Sequence, residues 1–476
     1  MAHRHGNRHQ MILLPNCIED YVTKEDPVRA YDAFVDALDF NALGIDTNSR
    51  KVGNPQYDPK AMLKLLIYGY SYGVTSSRKL ERQTHHNLAF IWLMGGLRPD
   101  HKTIAEFRRK NKSSIQKVLK QCAHMCIKLD LIAGNVLFVD GTKMRANASA
   151  KHTHKKKWYQ QQLKAVDQRI EHLLKECERI DQKEQDQDSF VAMNKALSKA
   201  ETLKSTIHEV LSEFETTERQ KINQTDPDCA NMRSIQGKHA SYNIQSVVDD
   251  KNGLIVNAEA VNDTNDLKQF ARQINQANDV LVKPCKSACA DAGYADAAEL
   301  EKIDAQSISV IVPSRRQAHQ KAPEPFNKKS FKYDKEQDCY YCPEGHKLRL
   351  STIEKKTGGK RYIITNANLC FKCQHWGICT NSKSGRKTFR SCNEDLVEKF
   401  ETKYKAPEAQ ELYSKRKNFV EHPFGHIKRN LKADTFLMRG RDGVQAETSL
   451  LATCFNLVRM INIFGVSGVI HKMATT

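Results

Sequence analysis

Apolar residues recur at helical spacing through residues 58–131, broken into short pieces. Asp58-Pro59 supplies a cap and a first-turn proline, and Met62, Leu65 and Leu66 follow on one face. Gly73 closes that helix. Ser76 and Ser77 open a second, SSRKLERQ, and HNLAFIWLMGG forms a third. Thr103 and Glu106 have the spacing of a capping box, which predicts a helix start before Phe107, Arg108, Arg109 and Lys110. Short helices with small turns and exposed basic residues suit a helix-turn-helix DNA binder; a plain helical bundle has the same pattern.

The pattern then changes to strand. LFVDGTKM (137–144) follows an apolar run with a charge, so residues 135–140 read as a buried strand that Asp140 ends and Gly141 turns. A basic run, KHTHKKKWYQ (151–160), suits solvent or phosphates. Leu163, Val166, Ile170, Leu173, Cys177 and Ile180 keep heptad spacing. DQKEQDQD (181–188) interrupts it, and Met193, Leu197, Ala200, Leu203, Ile207, Leu211 and Phe214 resume it. These two runs predict an antiparallel helical hairpin inserted between two parts of one sheet. TDPDCANMRS (225–234) returns the chain to that sheet.

Residues 240–261 read as a β-hairpin around Asp250-Lys251-Asn252-Gly253. A helix over 266–278 follows, then strand, turn and helix over 285–300, and a strand over 308–314. A cysteine-containing insert occupies 326–395. Helices close the chain at about 406–432 and 445–464. The fold class is mixed α/β, with a helical N-terminal domain (1–132), a helical hairpin (151–225), the cysteine-rich insert (326–395) and a core assembled from 133–150, 226–325 and 396–476.

Composition narrows the function. Across 476 residues the formal net charge is +19, spread along the chain, which favours nucleic acid over a membrane surface as partner. The 39% hydrophobic content allows a sizeable core. The start, MAHRHGNRHQMILLP, is too short in its apolar part for a secretion signal. LLATCFNLVRMINIFGVSGVI (450–470) carries Asn456, Arg459 and Asn462, which suits a buried helix rather than a membrane span. The expected location is the cytoplasm, where the 14 cysteines are reduced thiols or metal ligands.

Three carboxylates stand out. Asp140 follows an apolar strand, Asp291 sits in CADAGYADAAEL where a strand meets a Gly-containing turn, and Glu421 lies in RKNFVEHPFGHIKRN. Each has a plain alternative: a turn residue, a helix cap, a surface ion pair. Together they make chemical sense. In-line phosphodiester cleavage uses two divalent ions about 4 Å apart, which activate the attacking oxygen and stabilise the leaving one. Mg²⁺ takes oxygen ligands. Lys428, seven residues after Glu421, shares its helix face. Asp249, at the end of VVD, has the following turn as its explanation.

VDGTKM, YNIQSVVD, ADAGYAD and VEHPFGHIKRN, in that order, resemble the bacterial insertion-sequence transposases of the DDE type. DPKAMLKLLIYGYSYGVTSSRKLER and GLRPDHKTIAEFRR resemble the helical N-terminal domain of one large branch. The likeness runs over residues 40–465. It implies an RNase H-like catalytic domain with Asp140, Asp291 and Glu421 as a triad binding Mg²⁺ or Mn²⁺. The family's Tyr-Arg-Glu-Lys signature falls on Tyr413, Arg416, Glu421 and Lys428. DNA contacts are expected from Tyr413, Arg416, Lys428, Arg108 and Arg109. The implied partners are double-stranded DNA (terminal inverted repeats and target), with a homodimer in the synaptic complex, no membrane, and a nucleoid-associated location in a bacterium. A catalytically inactive or domesticated DNA binder and an RNase H-like nuclease are the competing readings.

The insert has its own chemistry. CYYC (339–342) and CFKCQHWGIC (370–379) pair Cys-x₂-Cys knuckles, a zinc pattern. The candidate sets are Cys342, Cys370, Cys373 and Cys379, or Cys339/Cys342 with Cys370/Cys373. His346, His375 and Cys392 are spare ligands. A metal-free module of reduced cysteines is the alternative. Lys355, Lys356, Lys360, Arg361, Lys387 and Arg390 would let the insert touch DNA.

Overall fold

The computed structural model describes residues 17–47, 56–181, 187–217, 219–234, 237–318, 325–355 and 357–475, with side chains 177–191 left aside. The start MAHRHGNRHQMILLP, Cys177, Ile180, the side chains of DQKEQDQD, and Lys356 therefore lie outside the described residues. The chain forms two compact units. The first comprises 1–265, 275–283 and 418–476; the second comprises 266–274 and 284–417.

Among the described residues, seven α-helices lead the first unit: α1 (Pro27–Asp36), α2 (Phe40–Leu43), α3 (Pro59–Ser71), α4 (Ser77–His86), α5 (Leu88–Leu93), α6 (His101–Lys110) and α7 (Lys112–Lys128). Asp58 caps α3 by accepting from the Lys60 N–H, with Pro59 at the first helical position. Gly69 lets α4 approach: a Cβ there would sit 2.3 Å from Leu80 Cδ2 and 2.8 Å from the Val74 carbonyl oxygen. The start of α6 differs from expectation. Asp100 caps it, accepting from the Thr103 N–H at 2.6 Å, so Thr103 lies inside the first turn. An Asp three residues earlier outcompetes the Thr as cap.

The strand β1 (Val136–Arg145) runs ten residues, past both Asp140 and Gly141. Its antiparallel partner is β5 (Gly237–Asp249), with Asp140 opposite Ser246 and Arg145 opposite Ser241. That long ladder carries the chain straight through the expected turn, so Asp140 is a mid-strand residue. Between them lie β2 (Thr153–His154), α8 (Lys156–Asp181), α9 (Gln187–Thr216), β3 (Ile222–Asn223) and β4 (Ala230–Ser234); β6 (Ile255–Val261) pairs with β5. Lys156 meets Glu215 and Lys204 meets Asp167, a pairing only antiparallel helices give. Tyr159, Val166, Ile207, Val210 and Ile222 form the buried centre of this hairpin, while Leu203 of the heptad run is exposed.

α10 (Phe270–Leu281) starts four residues later than its pattern suggests. In the second unit, β7 (Ser287–Cys289) and β8 (Ser309–Ile311) pair in parallel around α11 (Ala297–Asp304), followed by α12 (Arg315–Ala318). The insert is a five-stranded antiparallel sheet: β9 (Lys332–Asp334), β10 (Cys339–Tyr341), β11 (Lys347–Ile353), β12 (Lys360–Ile364) and β13 (Lys387–Arg390). α13 (Ala367–Phe371) lies between β12 and β13. Tyr340, Leu348, Tyr362 and Ile364 fill its core. α14 (Glu394–Tyr404) was not evident in the sequence. α15 (Pro407–Arg429) and α16 (Arg441–Ala474) complete the chain.

α16 breaks at Gly465, whose φ of +69° is open to glycine. It is long and apolar enough to cross a membrane, yet 61% of its most apolar window is buried inside the protein. Two of its polar residues, Asn456 and Arg459, have interior partners. The Asn456 amide donates to the Ile255 carbonyl (2.9 Å) and its oxygen accepts from the Ile255 N–H (2.8 Å). Arg459 donates to the Asn252 carbonyl at 2.7 Å. α1, α3, α7 and β6 all pack on α16. The N-terminal helices thus share a core with the strands, and no break falls at residue 132.

Candidate active site and its surroundings

Phe138, Asp140 and Thr142 share one face of β1, since side chains alternate along a strand. That face looks on α15. Phe138 stacks on Phe419 with ring centres 5.2 Å apart and planes 7° apart. The Lys428 ammonium donates to Thr142 Oγ1 and to the Lys143 carbonyl oxygen. Burial pushes the Lys428 pKa down, while Asp140 and Asp434 pull it up. A cation on α15 therefore feels the Asp140 carboxylate. Glu421, on the same helix face as Lys428, is exposed and makes no ion pair among the described residues. The surface-ion-pair alternative for Glu421 does not describe this structure. Pro423 lies within α15 and lacks the N–H that would reach the Phe419 carbonyl.

Asp291 belongs to the second unit. It follows β7 by two residues and caps the short 3₁₀ turn 292–294, accepting from the Gly293 N–H at 2.7 Å through Oδ1. Oδ2 lies 3.6 Å from the Arg416 guanidinium. The cap role is real, and it leaves the second oxygen facing a cation. Tyr413 packs edge-on against Tyr404, 5.1 Å between ring centres. Its hydroxyl pKa is raised, mainly by burial.

Asp249 contrasts with all three. It is fully buried, and its carboxylate accepts from the N–H groups of Gly134 (2.7 Å), Ala133 (3.2 Å) and Lys251 (3.1 Å). Burial raises its pKa against those hydrogen bonds. It holds a turn together.

Arg108 corrects an expectation. It is 5% exposed, and its guanidinium donates to Tyr70 Oη (2.8 Å), the Thr75 carbonyl (3.1 Å) and Ser77 Oγ (2.7 Å). Ile104 and Arg108, four residues apart, share the inward face of α6. Arg109 points outward instead, forked onto Glu106 at 2.8 and 2.6 Å. Tyr70 passes the chain on, donating to Glu447 Oε1 at 2.6 Å. Glu447 Oε2 accepts from the N–H groups of Leu437 and Met438. This buried relay had no signal in the sequence beyond a Glu inside an apolar helix.

In the insert, Cys342, Cys370, Cys373 and Cys379 line one cavity of about 30 Å³ together with His346 and His375. Cys339 stands apart, buried on β10 opposite Arg349 and Asp334. Backbone N–H groups of His346 and His375 approach the Cys342 and Cys373 sulfurs at 3.3 and 3.5 Å. His375 is paired with Glu344 at 3.0 Å. Among the described residues, no group of three or more His, Cys, Asp or Glu side chains is arranged to hold a metal ion.

Residues 16–110 match the family "Transposase domain (DUF772)" and residues 341–461 match the family "Transposase DDE domain". The second matched segment contains Glu421 and Lys428. No curated protein matches the chain. Among solved structures it is similar to the cryo-EM structure of a piggyBac transposase synaptic complex with hairpin DNA. The TM-score is 0.36 at 9% identity, covering 95% of this chain and 79% of that one.

Proposed function

We propose that this protein binds the terminal inverted repeats of an insertion sequence and catalyses DNA cleavage and strand transfer at an RNase H-like site. The observation that carries the reading is the transposase DDE match over 341–461, which contains Glu421 and Lys428, taken with a mid-strand Asp140 beside that lysine. In this reading Asp140, Asp291 and Glu421 are the metal-binding carboxylates. Their donor chemistry suits Mg²⁺ or Mn²⁺: hard oxygen ligands, with Glu421 free of any ion pair among the described residues. The metals would activate water and stabilise the leaving oxygen. Lys428 and Arg416 neutralise charge beside the carboxylates, and Tyr413 and Arg109 face DNA.

The chain then works on double-stranded DNA, as a homodimer when two element ends are joined. The test is nicking of a labelled element-end duplex with Mg²⁺, wild type beside Asp140→Asn, with EDTA as control. The expected result is nicking at the element boundary by the wild type alone, with end binding retained by the variant. Binding without cleavage under any divalent ion would favour the non-catalytic DNA binder.

For the insert, the four cavity thiols are the donor kind a structural zinc takes. Metal content of the purified chain should give one zinc, lost in Cys373→Ser; zinc-free protein of equal stability would contradict this assignment.

A further inference from the structure

A second charged site lies away from the carboxylates, wholly within the first unit. A cleft of about 750 Å³ is lined by the starts of α4 and α6, by Lys112 of α7, by Asn147, and by the segment 437–439. Arg78, Lys102, Arg109, Lys112 and Arg439 line it, and none of its lining residues is acidic. Arg78, Lys102 and Lys112 make no ion pair among the described residues. Two lining residues are paired with acids outside the lining: Arg109 with Glu106, which also meets Lys110, and His101 with Glu81. Ser76, the N-cap of α4, makes no side-chain cap hydrogen bond, so the positive end of that helix also lines the cleft.

The two walls are fixed. On one side Arg108 ties Ser77 and the Thr75 carbonyl to Tyr70. On the other, Glu447 holds the Leu437 and Met438 N–H groups, and Tyr70 joins it to Arg108. Asn147 donates to the Leu437 carbonyl (2.7 Å), and Arg439 Nε donates to the Asn147 carbonyl (2.9 Å). Unpaired cations such as Arg78, Lys102 and Lys112, held beside a rigid scaffold, concentrate anions.

We infer that this cleft is a docking site for the phosphate backbone of duplex DNA, gripped between α4, α6 and the 437–439 segment. The choice of DNA rests on the transposase reading; the cleft itself reads charge and not sequence.

The test is fluorescence anisotropy of the full chain with a labelled element-end duplex, an unrelated duplex and an RNA duplex, across a salt series. The variant is Arg78→Ala/Lys102→Ala/Lys112→Ala, checked for unchanged melting. Lys329→Ala/Lys335→Ala, at a basic patch elsewhere, serves as control. The triple variant should bind both DNA duplexes at least about tenfold more weakly, with a salt slope shallower by about 2–3, since each phosphate left without its cation lowers the slope by about 0.9. Conservative Arg78→Lys/Lys102→Arg/Lys112→Arg should keep most of the affinity. Wild-type binding that the triple variant matches within twofold, at the same slope, overturns the cleft while leaving the transposase reading intact. A cleft-dependent preference for RNA overturns the choice of DNA, and no wild-type binding to either DNA overturns both readings.

Discussion

Two basic regions of this molecule, one in each unit, are similarly rich in cations and have opposite electrostatics. In the second unit, Arg316, Lys328, Lys329, Lys335 and Arg390 gather beside α14. Each is matched: Arg316 with Glu394 and Glu401, Lys328 with Glu394, Lys329 with Glu401, Lys335 and Arg390 with Asp395. Burial alone would raise the Glu394 carboxyl, but Lys328 and Arg316 hold it below its ordinary value. Arg390 is 6% exposed and lies 3.8 Å over the Tyr333 ring. In the first unit, the cleft of α4, α6 and 437–439 has cations and no acids in its lining. A count of Lys and Arg cannot separate the two. Pairing can: the region beside α14 uses its cations within its own fold, and the cleft leaves Arg78, Lys102 and Lys112 for a partner.

The relay beneath the cleft gives the largest expected effect. Glu447→Ala leaves the buried Tyr70 hydroxyl and the Leu437 and Met438 N–H groups without their acceptor and should cost about 3–5 kcal/mol, with a matching loss of DNA affinity as the walls loosen; denaturant melts and anisotropy check both. The same site sets a pH dependence. Burial raises the Glu447 pKa above its ordinary 4.5. The folded chain then keeps a proton that the unfolded chain releases, so stability falls as the pH rises through that window. Glu447→Gln should flatten this part of the stability–pH curve, and an unchanged slope would count against a raised Glu447.

Arg390→Ala comes next. It removes an ion pair and a ring contact from a buried site, for a loss of about 3 kcal/mol. DNA affinity should stay within twofold, and a tenfold loss there would erase the distinction between the regions. Lys102→Glu places an acid in the cleft and should weaken DNA binding by about tenfold, with melting nearly unchanged. Lys335→Ala, an exposed pair, should change stability by less than about 0.5 kcal/mol.

Much of the architecture was legible in residue order. The Asp58-Pro59 helix start, the hairpin around Asp250–Gly253 and the long helices α8 and α9 follow from local rules that tertiary contacts reinforce. Asp140 shows where local rules fail. Asp-Gly after an apolar run reads as a turn, but β5, far along the sequence, supplies a partner for every residue from Leu137 through Arg145. Arg108 fails for a related reason: its neighbour Arg109 looks identical in sequence, and only the buried Tyr70 and Glu447, on other helices, decide which one turns inward. Of the candidate site, residue types and the shared face of Glu421 and Lys428 were readable; the Lys428 contact to Thr142 and the Asp291–Arg416 pair needed the fold. The cleft was invisible, because Arg439 and Arg78 are separated by most of the chain.

The most direct test of the central claim is strand transfer. A labelled element-end duplex with a pre-cut 3′-hydroxyl is incubated with supercoiled plasmid and Mg²⁺, using wild type, Asp140→Asn, Asp291→Asn and Glu421→Gln. The account predicts label joined covalently to plasmid by the wild type alone, with all three variants down by at least about a thousandfold in rate while still binding the duplex. Transfer by any folded variant at the wild-type rate would contradict the three-carboxylate site, and wild-type nicking without transfer would make the protein a nuclease.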